Sequence, residues 1–328
     1  MSADDQAALV ADIGGTNARF ALLDGGAPGT ALREVRSLPN SHFASLQHAI
    51  EHYLSEVGAT PARAAIAVAC PVNGDEIRLT NRAWSFSRSE LRAVLGLRQL
   101  ELINDFGAVA WSVPALTPAD RIALHGAADA PLAGPVTVMG PGTGLGVALL
   151  VGGGDDWQVV ETEGGHVSFA PLGEEEGAIA RWVTARFGRC STERLLSGSG
   201  LSHIHAALSD APFSMPESQL RPPAAIVDAA LEGHDLVARR TLARFCAVLG
   251  SVCGDAALVH GARTVVIAGG IVPRFVPFLR SSAFRERFLA KGRFATLLES
   301  VALHVISHPS PGLLGAARAL RLRSGETP

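Results

Sequence analysis

Asp12-Ile13-Gly14-Gly15-Thr16-Asn17 stands between two apolar runs, Ala8 to Asp12 and Arg19 to Asp24, that read as strands. Gly14 and Gly15 have no Cβ, so a turn built on them lets backbone N–H groups approach an anion closely. Thr16 and Asn17 add side-chain hydrogen-bonding groups, and Asp12 can hold a metal-bound water. The plainer reading is a hairpin whose turn happens to be Gly-Gly-Thr-Asn, a common turn chemistry. A second unit of similar plan follows. Val136 to Met139 runs into Gly140-Pro141-Gly142-Thr143-Gly144-Leu145-Gly146, and Val147 to Val151 returns as a strand. A third glycine turn, Gly269-Gly270, breaks the buried run Val265 to Ala268. Each turn alone could be structural, but three of them at strand ends point to phosphate.

Other nucleotide and hydrolase motifs are missing. The one lysine, Lys291, is followed by Gly292, so no Walker A loop exists. There is no HRD or DFG triplet, and the alternating glycines at 140, 142, 144 and 146 miss the G-x-G-x-x-G spacing. Ser199 lacks the first glycine of a nucleophile elbow, and no HExxH occurs. A cradle of backbone N–H groups and hydroxyls is what survives. Elsewhere, Asn104-Asp105 closes the strand Leu100 to Ile103, where a carboxylate can reach a hydroxyl; taken alone, the pair also reads as a helix cap.

The elements that must position these groups alternate between strand and helix. Strands are expected near Glu34 to Ser37 and over Ala64 to Ala69. Helices are expected over Phe43 to Val57, from the Ser87-x-x-Glu90 capping box toward Leu95, and over Gly107 to Val113. Further helices are read at Glu174 to Phe187, Ser191 to Leu196, Gly200 to Leu208, Asp235 to Val259 and Gly312 to Arg323, with Pro212 to Pro223 as loop. The pattern predicts a two-domain α/β protein with a cleft between its blocks. The expected smaller domain is 1–114 plus 310–328, and the larger is 115–309.

Composition bounds the partners. The 328 residues hold 28 basic and 31 acidic side chains, a net charge of −3, so neither nucleic acid nor a membrane surface is expected as a partner. Four cysteines without CxxC spacing fit free thiols in a reducing compartment. Residues 1 to 7 are short and acidic, unlike a secretory signal, and no uninterrupted apolar run reaches the length of a membrane span. A cytoplasmic protein is expected.

Six segments together resemble the bacterial glucokinases of the hexokinase–Hsp70–actin ATPase superfamily. They are Asp12-Ile-Gly-Gly-Thr-Asn-Ala-Arg, Ile103-Asn-Asp-Phe, Gly140-Pro-Gly-Thr-Gly-Leu-Gly-Val, Glu163-Gly-Gly-His-Val-Ser-Phe-Ala-Pro, Glu193-Arg-Leu-Leu-Ser-Gly and Ala268-Gly-Gly-Ile-Val-Pro-Arg-Phe. The tail Pro311-Gly-Leu-Leu-Gly-Ala-Ala also fits, so the resemblance covers nearly the whole chain in order. It implies an actin-like ATPase (ribonuclease H-like) fold, with mixed β-sheets flanked by helices and an interdomain cleft. The implied reaction is transfer of the ATP γ-phosphoryl group to the 6-hydroxyl of glucose, with Mg²⁺. Asp105 would be the general base; Asn81, Asn104, Asp105, Glu163, His166 and Glu193 would contact the sugar. Acceptor carboxylates and an imidazole suit a polyol, whose hydroxyls donate as well as accept. Asp12, Gly14, Gly15, Thr16, Asn17, Thr143 and Gly144 would hold the phosphates, with Asp12 anchoring hydrated Mg²⁺. Gly269 and Gly270 would lie against the adenosine.

The resemblance also implies a homodimer. Pro141 departs from the small flexible residue often found at its position and should stiffen the second turn. No cysteine occurs from 167 to 189, so the zinc motif of a related sugar-kinase branch is not expected. A kinase of other or broader hexose specificity stays open at this level. A sugar sensor on the same scaffold would carry an N-terminal helix-turn-helix, for which a hairpin starting by residue 12 is expected to leave no room. An Hsp70- or actin-like ATPase does not call for the Glu163, His166 and Glu193 set.

Overall fold

Ala8–Ile13 (β1) and Asn17–Leu23 (β2) pair antiparallel, with Asp12 opposite Arg19 and Ile13 opposite Ala18. The structure, a computed structural model, describes residues 7–24, 31–79, 84–127, 129–154 and 156–323; Asn81 lies outside the described residues. The chain continues through Leu32–Pro39 (β3), Leu46–Val57 (α1), Arg63–Val68 (β4), Glu76–Arg78 (β5), Ser85–Ser87 (β6), Arg88–Val94 (α2), Gln99–Asn104 (β7) and Asp105–Ser112 (α3). The first sheet runs β3-β2-β1-β4-β7. Its strands β1, β4 and β7 are parallel, and the register sets Ile13 beside Val68 and Val68 beside Asn104. The three therefore end together, and carboxyl ends of parallel strands are where such sheets present ligand-binding residues.

Side-chain alternation along these strands divides the burial. Leu9, Ala11, Ile13, Ile66 and Val68 face a core with Leu46, Ile50 and Tyr53 of α1. Ala8, Val10, Ala65 and Ala67 face the opposite layer.

The second sheet is formed by Arg121–His125 (β8), Val136–Pro141 (β9), Leu145–Val151 (β10), Gln158–Thr162 (β11), Thr264–Ile267 (β12) and Ala302–Ile306 (β13). Its order is β11-β10-β9-β12-β13-β8. The helices in this half are Gly173–Phe187 (α4), Gly198–Leu208 (α5), Pro223–Glu232 (α6), Leu236–His260 (α7), Val276–Ser281 (α8), Phe284–Leu289 (α9) and Ala295–Glu299 (α10). The last helix is Pro311–Arg323 (α11), which packs on the first sheet through Leu313, Ala316, Ala317 and Leu320. By contact density the chain divides into one unit of residues 1–117, 154–161 and 308–328 and a second of 118–153 and 162–307. Helix α7 is long and apolar enough to cross a membrane, but 67% of its most apolar window is buried. Leu242, Phe245, Leu249 and Cys253 on this helix belong to the core of the second unit.

Several expectations shift. The segment Ser191 to Leu196 is not a helix. Its first N–H groups are drawn to another segment, Thr192 N–H donating to Val167 O and Glu193 N–H to Gly165 O, while Arg194, Leu195 and Leu196 close only tight turns back onto Ser191 O and Thr192 O. Helix α3 begins at Asp105 rather than Gly107, because Asn104 caps it, and α1 begins at Leu46 because Ser45 accepts from His48 N–H. Helices α5 and α7 are likewise capped by Ser197 and Asp235. The loop around Pro212 is present and ends at Pro223 as expected, where α6 begins, a helix to which the sequence reading assigned nothing. The short strands β8, β11 and β13 were not anticipated either; their side chains do not alternate cleanly, as β8 is half-buried throughout.

Candidate active site

The turn between β1 and β2 is closed by Gly14 N–H donating to Asn17 O at 3.0 Å. It is held from behind by Asn40, fully buried, whose Nδ2 donates to Gly14 O at 2.8 Å and whose N–H donates to Thr16 O at 2.9 Å. Gly14, Gly15, Thr16 and Asn17 are therefore shaped by a residue that the sequence reading missed. The cluster Pro39-Asn40-Ser41 after a strand was its only signal. Asp12 sits at the end of β1 with its carboxyl pushed up from its ordinary value by burial, partly countered by Arg19 at 3.4 Å. The first turn of α11 closes over it: a Cβ on Gly312 would lie 2.7 Å from Asp12 Oδ2.

Asn104 and Asp105 answer both sequence readings at once. Asn104 Oδ1 caps α3, accepting from Phe106 N–H at 3.0 Å and Gly107 N–H at 3.1 Å. The cap makes Asp105 the first helical residue and fixes its backbone. Asp105 Oδ1 accepts from Phe106 N–H at 2.8 Å. Its carboxyl is pushed up to about 6, first by burial and then by the charges of Asp12 and Glu161, while the Phe106 N–H pulls the other way. Desolvation is thus the main cause, as expected for a carboxylate seated in a largely apolar setting. Cys70, just past β4, has its thiol raised by burial and by Asp105.

In the second unit the structure brings together Glu163, His166 and Glu193. His166 lies 3.8 Å from Glu163 Oε2 through Nε2 and 3.8 Å from Glu193 Oε1 through Nδ1. The backbone places them: a short helical turn over Gly164–His166 leaves β11, and Glu193 N–H donates to Gly165 O at 2.9 Å. Thr192 Oγ1 donates to the same carbonyl at 2.7 Å. Gly165 is pressed on Leu145 O so closely that no Cβ fits. The result is two carboxylates and an imidazole on one small surface, a donor-and-acceptor set that suits hydroxyl groups.

The turn between β9 and β10 carries Thr143 and Gly144, and Gly142 N–H donates to Gly144 O at 2.8 Å. Gly269 has φ +86 and packs on Pro141 O, leaving no room for a Cβ. Pro141, the last residue of β9, thus packs against a neighbouring turn. Gly270 has open space where a side chain would begin. Asp12, Gly14, Gly15, Thr16, Asn17, Asn104 and Asp105 belong to one unit, and Thr143, Gly144, Glu163, His166, Glu193, Gly269 and Gly270 to the other.

Among the described residues no group of three or more His, Cys, Asp or Glu could hold a metal by itself. Mg²⁺ does not require one, since it keeps several waters and is held by one or two carboxylates plus substrate phosphates. Asp12, at the base of a turn rich in N–H groups, fits that mode.

Comparison with known proteins gives one consistent answer. The sequence model of the glucokinase family matches residues 9–323. The glucokinase of Tolumonas auensis is 42% identical over 97% of this chain and 98% of its own length. That of Chromobacterium violaceum is 46% identical over 95% of this chain and 88% of its own. Among solved structures, a glucokinase from an Antarctic psychrotroph superposes with a TM-score of 0.83 at 35% identity, covering 97% of this chain and 99% of that one.

Proposed function

Because the chain belongs to the glucokinase family, we propose that it transfers the γ-phosphoryl group of ATP to the 6-hydroxyl of D-glucose with Asp105 as general base. The fold is the actin-like ATPase fold of such kinases. The observation that carries the base assignment is the state of the Asp105 carboxyl, raised to about 6 by burial and tied to the Phe106 N–H through one oxygen. It is ionised near neutral pH yet close enough to neutrality to accept a proton as a hydroxyl attacks.

Phosphoryl transfer asks mainly for alignment and charge stabilisation. Glu163, His166, Glu193 and Asn104 orient the sugar by its hydroxyls. The 6-hydroxyl oxygen attacks the γ-phosphorus, its proton passes to the Asp105 carboxylate, and the bond to the β-phosphate oxygen breaks to release ADP. The N–H groups of the Gly14–Asn17 turn and the Thr143–Gly144 turn hold phosphate oxygens, and Gly269 and Gly270 admit the adenosine. Mg²⁺, when bound, neutralises phosphate charge, and Asp12 orients its waters. Arg19, paired with Asp12, adds positive charge to a site that has no lysine.

Work as a homodimer in the cytoplasm completes the reading, and the family resemblance is what supports it. The test is direct. Purified protein with glucose and MgATP should release ADP and glucose 6-phosphate, and an Asp105→Ala variant that kept most of its turnover would sink the base assignment.

A further inference from the structure

Glu161 precedes the Glu163–His166 run by two residues and belongs to none of the motifs above. It is the penultimate residue of β11, exposed to water, and its carboxylate lies on the first turn of α3. A Cβ added to Gly107 would fall 2.8 Å from Glu161 Cδ and closer still to Oε1. Gly107 is buried and donates its N–H to Asn104 Oδ1, within the turn that carries Asp105. The carboxylate therefore occupies space that any residue other than glycine would fill. A negative group at a helix N-terminus is favourable, but here a second carboxylate, Asp105, already begins the helix.

We infer that Glu161 is a positioning residue for the base, its charge seated on the bare backbone of Gly107 to keep the Asp105 carboxylate ready for a proton. The inference rests on the reading of Asp105 as base. The charged and titratable groups around Asp105 come from four directions. Asp12 approaches from β1 with Arg19 of β2 upon it, Cys70 from the end of β4, Glu161 from β11, and the Phe106 N–H from α3 itself. Helix α11 meets this turn with Gly315, which carries no charge. Of the two neighbouring carboxylates, Asp12 sits in the turn assigned to nucleotide, so its charge is answered when MgATP binds. Glu161 is outside that turn and keeps its effect. It lines a polar cavity of about 380 Å³ with Trp111 and the cationic Arg88, so both water and a positive charge temper its field. Its repulsion of Asp105 is accordingly moderate and open to screening by salt.

The experiment compares the pH dependence of kcat/KM for glucose in the parent enzyme, Glu161→Gln, Gly107→Ala and the double variant, at low and high salt. Removing the charge should move the acid limb to lower pH by about half a unit at low ionic strength, and less at high salt. Gly107→Ala should move it the same way. The nearest atoms to the new methyl all belong to the flexible Glu161 side chain, so it expels the carboxylate without closing off the fold. The double variant should move no further than either single one. Coincident limbs for parent and Glu161→Gln at low salt overturn the role of Glu161. The same holds if the double variant shifts by the sum of the two. An Asp105→Asn arm separates the premise: if that variant is inactive while the limbs coincide, only the Glu161 role fails. If it still turns over, the base assignment falls and takes this inference with it.

Discussion

The carboxylate of Glu193 rests on Gly144. Its Oε2 accepts the Leu145 N–H at 2.9 Å, and a Cβ at 144 would lie 2.5 Å from that oxygen. Two residues assigned to different substrates, one to sugar and one to phosphate, are thereby a single packed contact. Gly144→Ala must push Glu193 away from its hydrogen bond and from His166. We expect the glucose KM to rise about tenfold or more, the effect of losing roughly 1.4 kcal/mol of binding. Initial rates with glucose and ATP varied separately will check it; a change confined to the ATP KM would contradict the contact's proposed role.

The acid limb of activity should lie near pH 6, where Asp105 takes up its proton. Activity falls below that value because the protonated carboxyl cannot act as base. Asp105→Asn should lower kcat by about 10²–10⁴-fold and, in the same protein, raise the melting temperature at pH 7 to 8. The sign follows from linkage. The folded carboxyl titrates above its ordinary 3.8, so folding is penalised for holding it ionised. The penalty is absent below the ordinary value, grows between it and about 6, and is constant above, amounting to about 3 kcal/mol. Calorimetry of the pair at pH 4 and pH 8 should show the stabilisation at the higher pH alone.

Glu176 supports the second unit without touching the site. Its side chain is 1% exposed and accepts from Arg287 at 2.7 and 3.1 Å, Arg244 at 2.9 Å and the Leu172 N–H at 2.8 Å. Burial by itself would raise its carboxyl, but the Arg287 and Leu172 donors and then Arg244 hold it below the ordinary 4.5. Its contribution is present above that value and is lost as pH falls through the lower folded one. Glu176→Ala leaves two arginines without their shared anion and should cost about 3–5 kcal/mol. Urea titration gives the cost, and the folded fraction should keep its kinetic constants.

Helix α11 offers two glycines with different consequences. At Gly315 a Cβ would collide with Ala108 O of α3, backbone against backbone, so Gly315→Ala should destabilise by about 1–3 kcal/mol or more. At Gly312 its nearest neighbour would be the Asp12 carboxylate, 2.7 Å away. Gly312→Ala should fold, yet require more Mg²⁺ for half-maximal rate. Melting curves paired with Mg²⁺ titrations separate the two.

Local chemistry was legible wherever one stretch of sequence specifies one structure. The Gly14–Asn17 hairpin, the Ser87 cap and the buried strand at Val265 follow from turn residues, capping and apolar runs that act within a few positions. Asp105 stood out as a carboxylate at a strand end, although the same residues that made it visible also shifted the start of α3. What escaped depends on distant partners. Ser191 to Leu196 has helix-compatible residues, but Val167 O and Gly165 O tie down the N–H groups of Thr192 and Glu193, and the rest closes as tight turns. Asn40, Glu161 and Gly312 gain their meaning from Gly14, Gly107 and Asp12, each far away in sequence and brought near only by the packing of the fold. The resemblance to a family marked Glu163, His166 and Glu193 as a set; spacing alone could not have joined them.

The layer that covers Ala8, Val10, Ala21, Ala65 and Ala67 is supplied partly by α3 and partly by α11. About three hundred residues separate β1 from α11, so α11 leaves the ribosome roughly 15–60 s after it at ordinary elongation rates. Throughout that interval the part of this face that α11 covers stays open, and the seat of Asp12 is unfinished. The small side chains on that face limit how much apolar surface the nascent chain shows, so alanine serves here as protection during synthesis as well as for close packing afterwards.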